Sequence, residues 1–207
     1  MFVPGSRLIC KLLDHLAAGF VAANPFRFAP QSAEEELSLD ALLDFLSSLP
    51  SVDYTLRPSY DRHSLNWLLE ILESKNLHGR LRKTLVRKPS GEAAGWYIYY
   101  VNPGGISEVL QIGANSDSVK LVTQHMAYCA WKHGAFALTG RIDPRFMDEL
   151  SEQNFLFHRG NRPWMLIHSK DPGILASFHR GRAFVTRMEG EWWVGSRRQE
   201  ISSAGTP

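Results

Sequence analysis

The chain of 207 residues holds only two cysteines, Cys10 and Cys129, far apart and without a CxxC neighbour. That count excludes a zinc ribbon, which needs paired ligands at short spacing, and a framework of several disulfides. Neither sign of charge is in excess, because 23 Lys and Arg stand against 21 Asp and Glu for a formal net charge of +2. A field that weak does not drive nucleic-acid binding over the whole chain, so any anion site has to be local. Long apolar runs are missing too. The most apolar N-terminal stretch, Leu8 to Ala23, is broken by Lys11, Asp14 and His15. It falls short of the roughly 18 uncharged residues of a membrane span and of the unbroken core of a signal peptide. The expectation is a cytoplasmic chain with no membrane insertion and no nucleic-acid partner.

What is present is ordinary globular composition, with 44% hydrophobic and 21% charged residues, enough to build a core and too apolar for a disordered tail. Residues 6–23 carry Leu8, Leu12, Leu16 and Phe20 at helical spacing, and Asn24-Pro25 stops that helix. Glu34 to Glu36 reads as a solvated linker or a helix start, and Leu39 to Leu46 gives a short apolar helix ended by Pro50. The expected organisation is a helical segment or linker over 1–36, a short helix over 37–50, one domain over 51–194 and a frayed tail over 195–207.

Within that domain Val52 to Arg57 reads as a strand and Tyr60 to Asn76 as a helix. Three strands follow, Leu81 to Arg87, Gly95 to Val101 and Ile106 to Ile112, separated by Pro89-Ser90-Gly91 and Asn102-Pro103-Gly104-Gly105. Such turn signals between aromatic and β-branched runs predict an antiparallel meander. The period then changes to 3.6 between Ser116 and His133, with Gly134 where a C-terminal cap belongs. A strand over Ala135 to Thr139 comes next, and Asp143-Pro144 and Asp171-Pro172 each open a helix, Asp as cap and Pro at the first position. Asn154 to His158 and Trp164 to His168 read as a hairpin, and Ala183 to Thr186 as an edge strand.

This order of strand, helix, three antiparallel strands, helix, strand, helix and two strands resembles the GNAT superfamily of acyl-CoA-dependent N-acyltransferases over residues 51–170. Tyr54 to Asp61, with its Leu56-Arg57-Pro58, looks like the family's opening segment. Gly95-Trp96-Tyr97, Val109-Leu110-Gln111, Gly140-Arg141 and Gly190-Glu191-Trp192-Trp193 are similar to the C-terminal half of tandem GNAT proteins linked to bacterial exopolysaccharide synthesis. The resemblance implies an α/β fold with a mixed, mostly antiparallel sheet flanked by helices. It implies acetyl-CoA or another acyl-CoA as co-substrate, a small-molecule or peptide amine as acceptor, and a second GNAT-like half or a homodimer as partner.

In that family the loop after the third meander strand has the form Q/R-x-x-G-x-G/A and holds the CoA pyrophosphate on backbone amides at a helix N-terminus, where orphan donors and the helix dipole stabilise an anion. The matching positions place Gln111, Ile112, Ala114, Ser116 and Ser118 at the cofactor. Ala114 and Ser116 stand where glycines are usual, and Asp117 brings a carboxylate to the phosphates. The tyrosine that many members use as the acid has no counterpart in Asp143 to Gln153. Glu108, at the start of the third meander strand, is the candidate general base. These departures leave a second reading, a non-catalytic GNAT-like interaction module.

No metal is expected. The eight histidines form no HxH, HExxH or Cys/His motif, and His125 and His133 lie eight apart on one helix. His168-Ser169-Lys170-Asp171 lacks a nucleophile elbow, and helix capping accounts for Asp171. Alternating aromatics over Trp96 to Tyr100 read as core on one face and cross-strand pairs on the other, and Arg80, Arg82, Lys83, Arg87 and Lys88 as edge protection.

Overall fold

Among the described residues five strands form one sheet, in the order in which they occur along the chain. The structure is a computed structural model, and it describes residues 29–75, 78–141, 143–157 and 167–189. The helix expected over 6–23, the Gly190 to Trp193 motif, the tail over 195–207 and residues 158–166 of the expected hairpin lie outside the described residues. The strands are β1 (Ala33–Glu36), β2 (Arg80–Arg87), β3 (Ala93–Val101), β4 (Ile106–Ala114) and β5 (Ala137–Thr139). The first three pairings are antiparallel and β4–β5 is parallel. The helices are α1 (Leu39–Ser48), α2 (Arg62–Ser74), α3 (Val119–Lys132), α4 (Met147–Glu152) and α5 (Pro172–His179). This is the mixed, mostly antiparallel sheet flanked by helices that the resemblance implies.

The period-two pattern of β3 separates two cores. Trp96, Ile98 and Tyr100 pack with Leu110 against Leu42 and Leu46 of α1 and Leu65, Leu68, Leu69 and Leu72 of α2. Tyr97, Tyr99 and Val101 pack with Val109 against Val122, Met126 and Ala130 of α3. With helices on both faces, every residue from Ala94 to Val101 is buried. Both aromatic rows are therefore core, where the sequence suggested only one. Burying a large aromatic is worth about 1.5–3 kcal/mol, so β3 is the stability centre of the sheet.

The turn chemistry is as the residues dictate. Gly91 and Gly104 take φ of 86° and 71° between the meander strands, and Gly134 takes 81° where α3 ends. Asp143 accepts from the Arg145 amide at 3.0 Å and opens a short 3-10 turn, Pro144–Phe146, ahead of α4. Asp171 accepts from the Gly173 amide at 2.8 Å and starts α5.

Several elements differ from expectation. The acidic run Ala33–Glu36 is the sheet's edge strand, neither linker nor helix start, in register with Thr84 to Arg87 of β2. Glutamate favours strands poorly, but Arg87 lies across and its Nε donates to Glu35 at 2.7 Å. Val52 to Arg57 is a turn with one isolated bridge, Leu56 to Ala183, rather than a strand. Residues 184–186 likewise form no strand, and neither do Phe155–Phe157 and Ile167–Ser169, the described ends of the expected hairpin.

Candidate functional site

The sheet opens where β4 parts from β5. Their parallel pairing covers only Ile106 to Glu108 against Ala137 to Thr139, whereas β4 runs on to Ala114. Gly140 then passes so close that a Cβ there would lie 3.1 Å from the Val109 side chain. On its other edge β4 carries an extra residue: Tyr99 faces Val109 and Ile98 faces Gln111, so Leu110 has no partner on β3. Such a bulge bends the strand and re-aims its backbone. The Leu110 carbonyl lies in this opened stretch, past the last β4–β5 pair.

That carbonyl is taken by the chain itself, since the Arg187 amide donates to it at 2.9 Å. Residues 183–186, Arg141, Asp143 and Pro144 close over Val109 to Ile112 and leave a cavity of about 40 Å³. That volume admits a water or two and no larger group.

The polar groups of the opening hold this segment down. Glu108 Oε2 lies 3.4 Å from Arg187 Nη1 and 3.5 Å from His78 Nδ1. Gln111 is buried and accepts from the Trp96 indole N–H at 2.9 Å. Its amide nitrogen comes within 3.5 Å of Thr186 Oγ1 and of Glu189 Oε1. Glu189 in turn accepts from the Thr186 hydroxyl at 2.6 Å and the Tyr60 hydroxyl at 3.2 Å. Burial pushes the Glu189 carboxyl above the usual glutamate range, and the donated hydrogen bonds offset only part of that. Tyr60 is raised by burial first and by the charge of Glu189 second.

On the far side of the cavity Tyr54 donates to Asp143 at 2.5 Å, and the Arg145 guanidinium lies 3.7 Å over the Tyr54 ring. Burial raises the Asp143 carboxyl although the Arg145 amide and Arg141 pull it down. Asp143 read only as a helix cap in the sequence, and Glu189 carried no signal there. Both become visible only when the fold brings their segments to β4.

Much of the expected cofactor loop is strand. Ile112 and Ala114 belong to β4, paired with Tyr97 and Gly95, and the Asn115 amide continues the ladder to Ala94 at 3.0 Å. Only residues 116–118 form the turn before α3. Ser116 is exposed, and Ser118 is the buried N-cap, whose side chain makes no capping bond. The Ser118 hydroxyl instead donates to Asp117 at 2.8 Å, and Lys88 Nζ sits 2.9 Å from the other Asp117 oxygen. Lys88 first and Ser118 second hold Asp117 below the usual aspartate range. Gly113 serves packing, because a Cβ there would lie 2.3 Å from Trp96 Cη2. Thus Glu108, Gln111 and Ile112 lie along β4 at the opening, Ala114 ends that strand, and Ser116 and Ser118 form the turn that starts α3.

No family model matches the chain, and no curated protein matches it significantly. Solved structures do. A Trypanosoma brucei acetyltransferase is similar at 13% identity with a TM-score of 0.45, over 65% of this chain and 99% of the other. A glucosamine-6-phosphate N-acetyltransferase from Arabidopsis thaliana is similar at 11% identity and 0.42, over 68% and 99%. An aminoglycoside antibiotic 6'-N-acetyltransferase from Acinetobacter baumannii is similar at 14% identity and 0.38, over 68% and 99%.

Proposed function

We propose that the chain is an acyl-CoA-dependent N-acyltransferase of GNAT type whose groove is closed by its own residues 183–189. The observation that supports this reading is the bulged, splayed β4 leading directly into a helix whose N-cap side chain leaves the first amides without a capping bond. A pantetheine arm lies along β4 only after Arg187 has left Leu110, since the present cavity of about 40 Å³ is too small for it. In that arrangement the first turn of α3 receives the pyrophosphate, with Ser116 and Ser118 beside it and Ala114 small enough for close approach. Departure of Arg187 also frees Glu108, still beside His78, to take the proton of the acceptor ammonium. The neutral amine then attacks the thioester carbonyl, forming the amide and releasing the thiol; positioning supplies most of the acceleration. The acceptor class is a small-molecule or peptide amine, and the acyl group acetyl or longer.

A second reading, the non-catalytic interaction module, is favoured by one observation, the Arg187 amide already bonded to the Leu110 carbonyl at 2.9 Å. Isothermal titration of the full chain with acetyl-CoA and with free CoA separates the two. Micromolar binding, with a matching rise in Tm, supports the enzyme and calls for an amine-acceptor screen. No binding at millimolar ligand removes the enzyme reading in favour of the module.

A further inference from the structure

Away from β4, on the opposite face of the sheet, three metal-ligating side chains meet. His125 and Cys129 are one turn apart on α3 and both are buried, so helix geometry alone sets them side by side. Glu34 reaches them from the edge strand β1. Cys129 Sγ lies 3.4 Å from Glu34 Oε2, 3.8 Å from His125 Nδ1 and 3.9 Å from His125 Nε2. One donor atom from each of the three residues falls within 4.8 Å of the other two.

We propose that Glu34, His125 and Cys129 bind a zinc-like divalent cation that ties β1 to α3. The spacing is that of a tetrahedral site: metal–sulfur and metal–nitrogen bonds of about 2.3 and 2.0 Å put the two donors about 3.5 Å apart. A thiolate, an imidazole and a carboxylate are a borderline-soft set that suits zinc better than calcium or magnesium. The carboxylate and the thiolate together neutralise a dication, which a buried site requires. Tyr97 completes the arrangement, its hydroxyl 3.0 Å from His125 Nδ1. A partner on Nδ1 fixes the ring and leaves Nε2 for the metal, as outer hydrogen bonds do at histidine-ligated sites. Glu34 is exposed and lines a groove of about 720 Å³ along the unpaired half of β2, so its carboxylate stands between solvent and the buried His125 and Cys129. A water takes the fourth position. Sequence spacing hid the site, as Glu34 lies in a different element far from α3.

The test is a titration of the chelator-treated full chain with Co²⁺, followed by competition with Zn²⁺. The expected result is one ion per chain, with ligand-field bands of tetrahedral intensity and a thiolate-to-cobalt charge-transfer band that Zn²⁺ abolishes. Cys10→Ser leaves that band unchanged and Cys129→Ser removes it. Glu34→Gln, at an exposed position that leaves the circular dichroism unchanged, weakens affinity at least ten-fold, and Tyr97→Phe weakens it about ten-fold. Absence of the band in the unmodified chain overturns the site, as does a band lost in Cys10→Ser or kept in Cys129→Ser. Unchanged affinity in Glu34→Gln overturns the part of β1.

Discussion

Gly113→Ala distinguishes a glycine that serves packing from one that serves a phosphate. The added Cβ falls 2.3, 2.4 and 2.7 Å from three atoms of the Trp96 ring, well inside contact distance. The ring has little room to yield: it is 3% exposed, stacks on Phe45 with centroids 4.9 Å apart, and donates its N–H to Gln111 at 2.9 Å. Overpacking a filled core costs about 1–3 kcal/mol. If the ring swings away from Gln111, a buried donor is orphaned for about 1–3 kcal/mol more. The expected loss is about 2–5 kcal/mol, or a fall in Tm of about 4–20 °C for a domain of this size. Urea unfolding followed by tryptophan fluorescence and circular dichroism measures it. Trp96→Phe removes the clashing half of the ring, so in that background Gly113→Ala costs less than in the native chain, a coupling of about 1–3 kcal/mol. A Gly113→Ala chain of native stability that has lost acetyl-CoA affinity would refute this reasoning and return Gly113 to the phosphate loop.

Three further outcomes are expected. Because folding raises the pKa of Glu189 above its usual value near 4.5, the folded chain binds that proton more strongly than the unfolded one; the associated stability is full below the usual glutamate range and is lost as pH rises through the folded value. Urea midpoints against pH therefore fall over that window in the native chain and flatten in Glu189→Gln, and an unchanged slope in the variant removes Glu189 as the source. Arg187→Pro deletes the amide that bonds Leu110, a contact worth about 1 kcal/mol, so acetyl-CoA affinity measured by titration rises about five-fold; unchanged or weaker binding contradicts closure of the groove by this segment. Asp117→Asn removes a carboxylate from the start of α3, so affinity for free CoA rises several-fold at low salt and the gain shrinks at high salt, whereas a loss of affinity would make Asp117 a ligand contact.

The meander was legible because its determinants are local. Gly91 and Gly104 carry the turns, the aromatic alternation of β3 carries its pairing, and Asp143 and Asp171 announce the helices they cap. β1 was not legible, since three glutamates look like solvated chain until Arg87 of β2, across from Ala33, is placed within reach of Glu35. Val52 to Arg57 has strand composition, yet β1 already holds the edge of β2 beyond Thr84, and only Leu56 finds a partner. For the site, the sequence located Glu108 and Gln111 on the right strand but not what they touch. Thr186 closes a stretch whose pattern suggested only an edge strand, and Arg187 and Glu189 follow it with no signal of their own.

On the enzyme reading the two carboxylates at the opening act in different states of it. Residues 183–189 are held as a unit, by the Arg187 amide on Leu110, by Arg187 with Glu108, and by Glu189 with Tyr60 and Thr186. Whatever lays an extended ligand along β4 has to displace Arg187, and the same movement draws Glu189, two residues away, from Gln111. Glu189 is thus an anchor of the closed form, which protonation strengthens by relieving a buried charge. On the enzyme reading Glu108 acts once Arg187 has left, with His78 still beside it. On the enzyme reading, Glu189→Gln shifts the balance between the two forms and moves KM, whereas Glu108→Gln strikes kcat. That division separates an anchor from a base by kinetics alone.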